Sequence, residues 1–138
     1  PYETFAVAAG HLIVAVGNDA QFGRLCGLLG QTVLGGDPRF ATNADRGANR
    51  TALTASLAPL IALHHRDELL ATLAAAGIPA GPINDVAQVF SDPQIMARGL
   101  RTDREGIPGI ASPIVIDGRR QVADEGSPRL GSSPAVPE

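Results

Sequence analysis

Apolar and polar positions alternate over the first sixteen residues, and two short strands are predicted there. "ETFAVA" and "HLIVAV" flank the pair Ala9-Gly10, where glycine permits the positive φ of a tight turn, so the segment reads as a β-hairpin. The period then changes. Phe22, Leu25, Cys26 and Leu29 fall at i, i+3, i+4 and i+7, one apolar face of a helix. Asn18 or Asp19 can cap it, Gln21 stands three residues after Asn18 as in a capping box, and Gly30 is placed to stop it.

Beyond a linker, "GGDPRFATNADRGANR", the same logic continues. Asp37-Pro38 predicts a short helical turn, a capping aspartate followed by proline at the first helical position. A second helix is predicted from about Ala44 to Leu63 with Leu53, Leu57, Leu60 and Ile61 on its apolar face, and a kink or break at Pro59. A third, about Arg66 to Ala76, carries Leu69, Leu70 and Leu73 and ends at Gly77. "GIPAGPIN" cannot be helical and takes an extended or turning path, as a tight connector or as a wall of a pocket or dimer contact. Asn84 or Asp85 then caps a short helix with Val86, Val89 and Phe90, and Asp92-Pro93 begins another that ends at Gly99. "GLRTD" and "SPIVIDG" read as strands, the second closing on the turn pair Asp117-Gly118. The fold class is therefore α+β: an N-terminal β-hairpin, several short helices, and a small antiparallel sheet completed by C-terminal strands. Residues 1–125 are expected to form one small domain, and the Gly/Ser/Pro-rich residues 126–138 a flexible tail.

Composition narrows the class without naming a function. A chain of 138 residues with 44 % hydrophobic and 18 % charged residues is globular. Net charge is −3, so there is no case for a nucleic-acid or anionic-membrane partner. The 11 basic residues are all arginine, scattered along the chain. A single cysteine, Cys26, excludes an internal disulfide and fits a reducing, cytoplasmic setting. The start, "PYETF", lacks the basic and apolar regions of a signal peptide, and a segment cut from a longer protein is expected.

No catalytic constellation is complete. His11, His64 and His65 have no neighbouring cysteine or carboxylate cluster at metal-ligand spacing, so structural or surface roles are expected and no metal. Cys26 lies on an apolar helix face and is expected to pack there as a small hydrophobe. P-loop, GxGxxG and GxSxG motifs are absent.

The order of the motifs carries a resemblance. "PYETF…GHLIVAVGNDAQFGRLC", "DPRFATNADRGANR", "LLATLAAAGIPAGPINDVAQVFSDPQIMARGL", "SPIVIDG" and "PRLG" together resemble the C-terminal part of family III CoA transferases. This is the group of formyl-CoA transferase, carnitine CoA-transferase and alpha-methylacyl-CoA racemase. The resemblance implies the smaller domain of a two-domain enzyme that transfers CoA between an acyl-CoA and a carboxylic acid. The coenzyme A thioester would bind mainly to a large Rossmann-like domain outside this chain. An aspartate of that domain would attack the thioester and pass through an aspartyl-CoA intermediate. The full-length protein would be an interlocked homodimer, with acyl-CoA and carboxylate substrates.

The resemblance also points at "GNDAQF". In the racemase branch an acidic residue closely followed by "QF" bonds the catalytic histidine of the large domain. Asp19 matches it with a spacing one residue different, which makes Asp19 a candidate contributor to the site, with Asn18, Asp19 and Gln21 as substrate-cleft candidates. The alternative for Asp19 is a plain helix cap. Arg98 is placed to reach an acidic group of the large domain. The tail departs from the resemblance, reading "LGSSPAVPE" where the family continues with Glu-His-Thr. Racemase-type chemistry, a non-catalytic dimerisation module and an unrelated small-molecule-binding domain stand as alternatives.

Overall fold

Alternation in the first residues becomes a three-stranded antiparallel sheet in the computed structural model, which describes residues 1–128 and 130–132. β1 (Tyr2–Val7) and β2 (Gly10–Ala15) form the hairpin, with Phe5 opposite Leu12 and Val7 opposite Gly10. The two-residue turn is Ala8-Ala9, one position before the predicted pair, and Ala9 takes the left-handed φ of 67°. β3 (Ala80–Ile83) lies on the other side of β2, so β2 is central. The inward face of β2 is Leu12 and Val14, continued by Val16, all buried. That is the period-2 outcome of one face on a core.

The helices α1 (Asp19–Leu28), α4 (Arg50–Ile61) and α5 (Arg66–Ala75) supply the rest of that core. Phe22, Leu25 and Cys26 come from α1, Leu53, Leu57 and Ile61 from α4, and Leu69 and Leu73 from α5. Leu29, Phe40, Ile78 and the strand residue Phe5 complete the cluster. α1 ends as its sequence dictates: Gly30 takes φ 69°, its N–H bonds the Gly27 carbonyl and the Gln31 N–H the Cys26 carbonyl, the paired bonds of a Schellman stop.

Between α1 and α4 lie α2 (Thr32–Gly35), a 3₁₀ turn (Pro38–Phe40) capped by Asp37, and α3 (Asn43–Ala48). The single helix predicted from Ala44 to Leu63 is thus two helices, and the break falls at Asn49 rather than at Pro59. The Asn49 amide donates to the carbonyls of Asp45 and Arg39, which holds its backbone at φ −104°, ψ 26° and bends the chain between the helices. α3 starts on a capping box between Thr42 and Asp45. Pro59 sits in the last turn of α4, where it removes a single intrahelical bond, the one to the Ala55 carbonyl, and the line Leu53, Leu57, Ile61 stays buried.

The predicted α+β class is what the structure has, with one detail different. The strand that completes the sheet is β3, drawn from "GIPAGPIN", and not a C-terminal strand. As an edge strand β3 accommodates Pro82, opposite Leu12, without losing a ladder bond on its open side.

The chain divides into two compact units, Pro1–Ile83 and Asn84–Glu138. In the second, α6 (Val86–Ser91) is capped by Asp85 in a capping box with Gln88, and α7 (Pro93–Ala97) by Asp92. β4 (Arg101–Arg104) pairs with β5 (Ile107–Ile110), and β6 (Val115–Ile116) with β7 (Arg119–Arg120) across Asp117-Gly118. The Arg120 guanidinium donates to the carbonyls of Ser112 and Arg98 and ties this unit together, while the Arg98 side chain is exposed. Of the expected flexible tail, Arg129 and residues 133–138 lie outside the described residues.

Candidate functional site at the start of the first helix

The chain leaves β2 through Val16 and Gly17 and turns into α1 at Asn18, whose backbone is extended at φ −143°, ψ 168°. Asn18 Oδ1 accepts from the Gln21 N–H at 2.9 Å. Gln21 Oε1 reaches back to the Gly17 N–H at 3.0 Å, one residue earlier than in a standard capping box. Asn18 and Gln21 therefore do the capping, and Asp19 occupies the first helical position with its side chain 61 % exposed.

The Asp19 carboxylate has one partner among the described residues. Oδ1 accepts from Arg46 Nη2 at 2.6 Å, across 27 positions of sequence. Among the described residues, Arg46 is the one charged residue that is buried, at 3 % exposure. Its Nη1 donates to the carbonyls of Phe40 at 3.0 Å and Ala41 at 3.3 Å, and its guanidinium lies 4.7 Å from the centre of the Phe22 ring. Carbonyls, an aromatic face and a carboxylate offset the burial of this cation at Nη1, Nη2 and the guanidinium face, while its Nε is buried with no hydrogen-bond partner among the described residues. The second carboxylate oxygen, Oδ2, has no hydrogen-bond partner among the described residues.

A cleft of about 370 Å³ is lined by Val16, Gly17, Asn43, Arg46, Arg50 and Thr54 among others; Asn18, Asp19 and Gln21 are not among its lining residues. Arg50 pairs with Glu3 at 2.7 Å, and that guanidinium holds the Glu3 carboxyl below its usual range. Asn18, Asp19 and Gln21 thus gather at one helix end. Arg46 joins them from α3, and no local spacing marked it: only the Arg in "NADRGANR", next to capping residues, hinted at a structured segment.

The remaining candidates fall elsewhere. His11 and His65 are exposed and His64 half-buried. Among the described residues no group of three His, Cys, Asp or Glu side chains is placed to hold a metal ion. No helix among them is long and apolar enough to cross a membrane. Cys26 is buried in the core, where burial pushes its thiol up from the ordinary value of 9.0. A protonated, buried thiol is a poor nucleophile. Alkylation of the native chain by iodoacetamide at pH 7.5 is expected to be at least about a hundredfold slower than in denaturant. Because the unfolded thiol ionises first, stability is expected to fall as the pH rises past 9. Equal labelling rates would contradict the placement of Cys26.

A sequence profile described as CoA-transferase family III matches residues 1–133. The chain belongs to this family. A succinate–glutarate CoA-transferase of Agrobacterium fabrum is 39 % identical over 98 % of the chain, which covers 35 % of that protein. An acetyl-CoA:oxalate CoA-transferase of Acetobacter aceti is 32 % identical over 99 % of the chain, again covering 35 % of the relative. A crystal structure of a CAIB/BAIF family protein from Brucella suis superposes with a TM-score of 0.85 and 51 % identity, over 94 % of this chain and 34 % of that one. The chain thus spans about a third of the length of the family III CoA-transferases it matches.

Proposed function

We propose that this chain is the smaller domain of a family III CoA-transferase that moves CoA between an acyl-CoA and a carboxylic acid. The observation that carries the reading is the family match over residues 1–133 combined with coverage of only a third of each relative. The nucleophilic aspartate and most of the CoA contacts belong to residues outside this chain. In the proposed reaction that carboxylate attacks the thioester carbonyl, expelling CoA thiolate and leaving a mixed anhydride. The thiolate attacks the aspartyl carbonyl, giving the aspartyl-CoA thioester and the free donor acid. The acceptor carboxylate repeats the sequence in reverse, and thiolate returns to it as product. Every step develops negative charge on a carbonyl oxygen and is spoiled by water.

The role proposed for the small domain is to close that site against water and to hold Asp19 toward it. Asp19 Oδ2 would accept a hydrogen bond from a group of the large domain and fix its orientation. Asn18 and Gln21 shape the helix end that carries it. The names of the relatives favour short dicarboxylic acids as substrates, and transfer over racemisation. The proposed full-length protein is a cytoplasmic homodimer.

The full-length protein is expected to exchange labelled glutarate or oxalate into its CoA thioester, and the 138-residue chain alone to show none. Asp19→Asn in the full-length protein is expected to lower kcat about tenfold, or 1.4 kcal/mol in barrier, with little change in folding stability. Sustained turnover by the chain alone would overturn this placement of the chemistry. Solvent deuterium entering the α-position of a branched acyl-CoA, without CoA exchange, would establish the racemase alternative instead.

A further inference from the structure

We propose that Arg46 is a positioning residue whose guanidinium sets where the Asp19 carboxylate stands. The proposal rests on the reading that Asp19 faces the reaction site, and it adds the device that holds it there. Asn18 and Gln21 satisfy the helix end between them, so capping does not orient Asp19. Its single partner among the described residues is Arg46 Nη2, at 2.6 Å.

Arg46 in turn has almost no freedom. Its stem and fork are buried, with 2 % of the side chain exposed. Nη1 is committed to two backbone carbonyls at the end of the 3₁₀ turn, Phe40 and Ala41. The guanidinium plane lies over the ring of Phe22, three residues along α1 from Asp19. The cation is therefore registered against α1 by the same turn that carries the carboxylate, and against α3 by its own backbone. The other terminal nitrogen, Nη2, meets Asp19 Oδ1.

The geometry requires a planar fork. Three acceptors on two sides of one group match the fixed directions of a guanidinium, whereas an ammonium is a point charge at the end of a mobile stem. A rotamer search by an unheld Asp19 would spread its free oxygen over several positions. Misplacement of a contact group by about 1 Å costs on the order of a hundredfold in rate at a site that depends on orientation. A residue that merely staples α3 to α1 would lower stability without acting through Asp19, and the test separates the two.

The test is a double-mutant cycle in the full-length enzyme. Asp19→Asn, Arg46→Lys, Arg46→Gln and the Asp19→Asn/Arg46→Gln pair are compared for kcat and KM with an acyl-CoA and a dicarboxylate. Both Arg46 variants are expected to lower kcat at least fivefold with KM within about twofold. The pair is expected to be no slower than Asp19→Asn alone, because Arg46 has nothing left to position. Multiplying losses in the pair, or unchanged kcat in both Arg46 variants, would overturn the proposal while leaving the reading of Asp19 intact. An unchanged kcat in Asp19→Asn would overturn that reading instead. A measurement on the 138-residue chain guards against variants that do not fold. Four resolved Nη proton signals are expected for Arg46 in the ¹⁵N spectrum of the unsubstituted chain and of Asp19→Asn alike, because its carbonyl and ring contacts do not depend on Asp19. Averaged signals already in the unsubstituted chain would show an unheld fork and overturn the proposal.

Discussion

Replacing Phe40 by alanine is expected to lower the unfolding free energy of the chain by about 3–5 kcal/mol. The ring is fully buried, at 0 % exposure, although it comes from a three-residue turn between helices. Asp37 caps that turn by accepting from the Arg39 N–H at 2.9 Å, and Pro38 sets its first backbone angle, so the turn delivers the ring into the core in one fixed direction. A domain of this length has roughly 5–15 kcal/mol of stability in total, so the loss is a large fraction of it. Urea unfolding with circular dichroism measures the change. A loss below about 1 kcal/mol would mean that the ring is not part of the core. The same variant is expected to blur the Nη signals of Arg46, because the Phe40 carbonyl is one of its anchors.

Leu12→Ala is expected to cost about 2–5 kcal/mol and Ile13→Ala less than about 1.5 kcal/mol, although the residues are adjacent and almost identical in size. β2 is the central strand, with Phe5 opposite Leu12 on one side and Pro82 on the other. Leu12 faces the core at 0 % exposure, and Ile13 faces the opposite side and is half-buried. The contrast tests the register directly, since a slip of one residue would exchange the two side chains between faces. Equal losses in thermal unfolding would contradict the face assignment.

Much of the local structure was legible because it rests on chemistry within four residues. Asn18, Asp37, Asp85 and Asp92 cap the segments they precede, each by a side-chain oxygen on an N–H two or three positions ahead. Asp117-Gly118 makes the turn its φ values of 49° and 75° require. Other features were illegible for equally specific reasons. The break at Asn49 needs the Arg39 carbonyl, ten positions back, to capture the amide, and a helix period cannot register that. α2 is four residues long, too short for any apolar period. The strand character of Ala80–Ile83 exists through its pairing with β2, where Ile83 meets His11 and Ala80 meets Val14. Prolines and glycines alone allowed only an extended or turning path.

By itself, the sequence determined the N-terminal hairpin, the apolar faces of α1, α4 and α5, the capped starts at Asp37 and Asp92 and the stop at Gly30, and, through the order of its motifs, the resemblance to family III CoA transferases. Only the tertiary structure decided that β3 completes the sheet, that the helix predicted from Ala44 breaks at Asn49, and that Arg46 pairs with the Asp19 carboxylate. The physical reason is one of range. Caps, turns and helix faces are fixed by bonds and contacts within a few residues, which composition and spacing encode directly. A buried guanidinium finds a carboxylate 27 positions away, and Arg50 a glutamate 47 away, only after the core has brought β1, α1, α3 and α4 together, because apolar burial is non-directional and leaves long-range polar partners to be chosen by the packing.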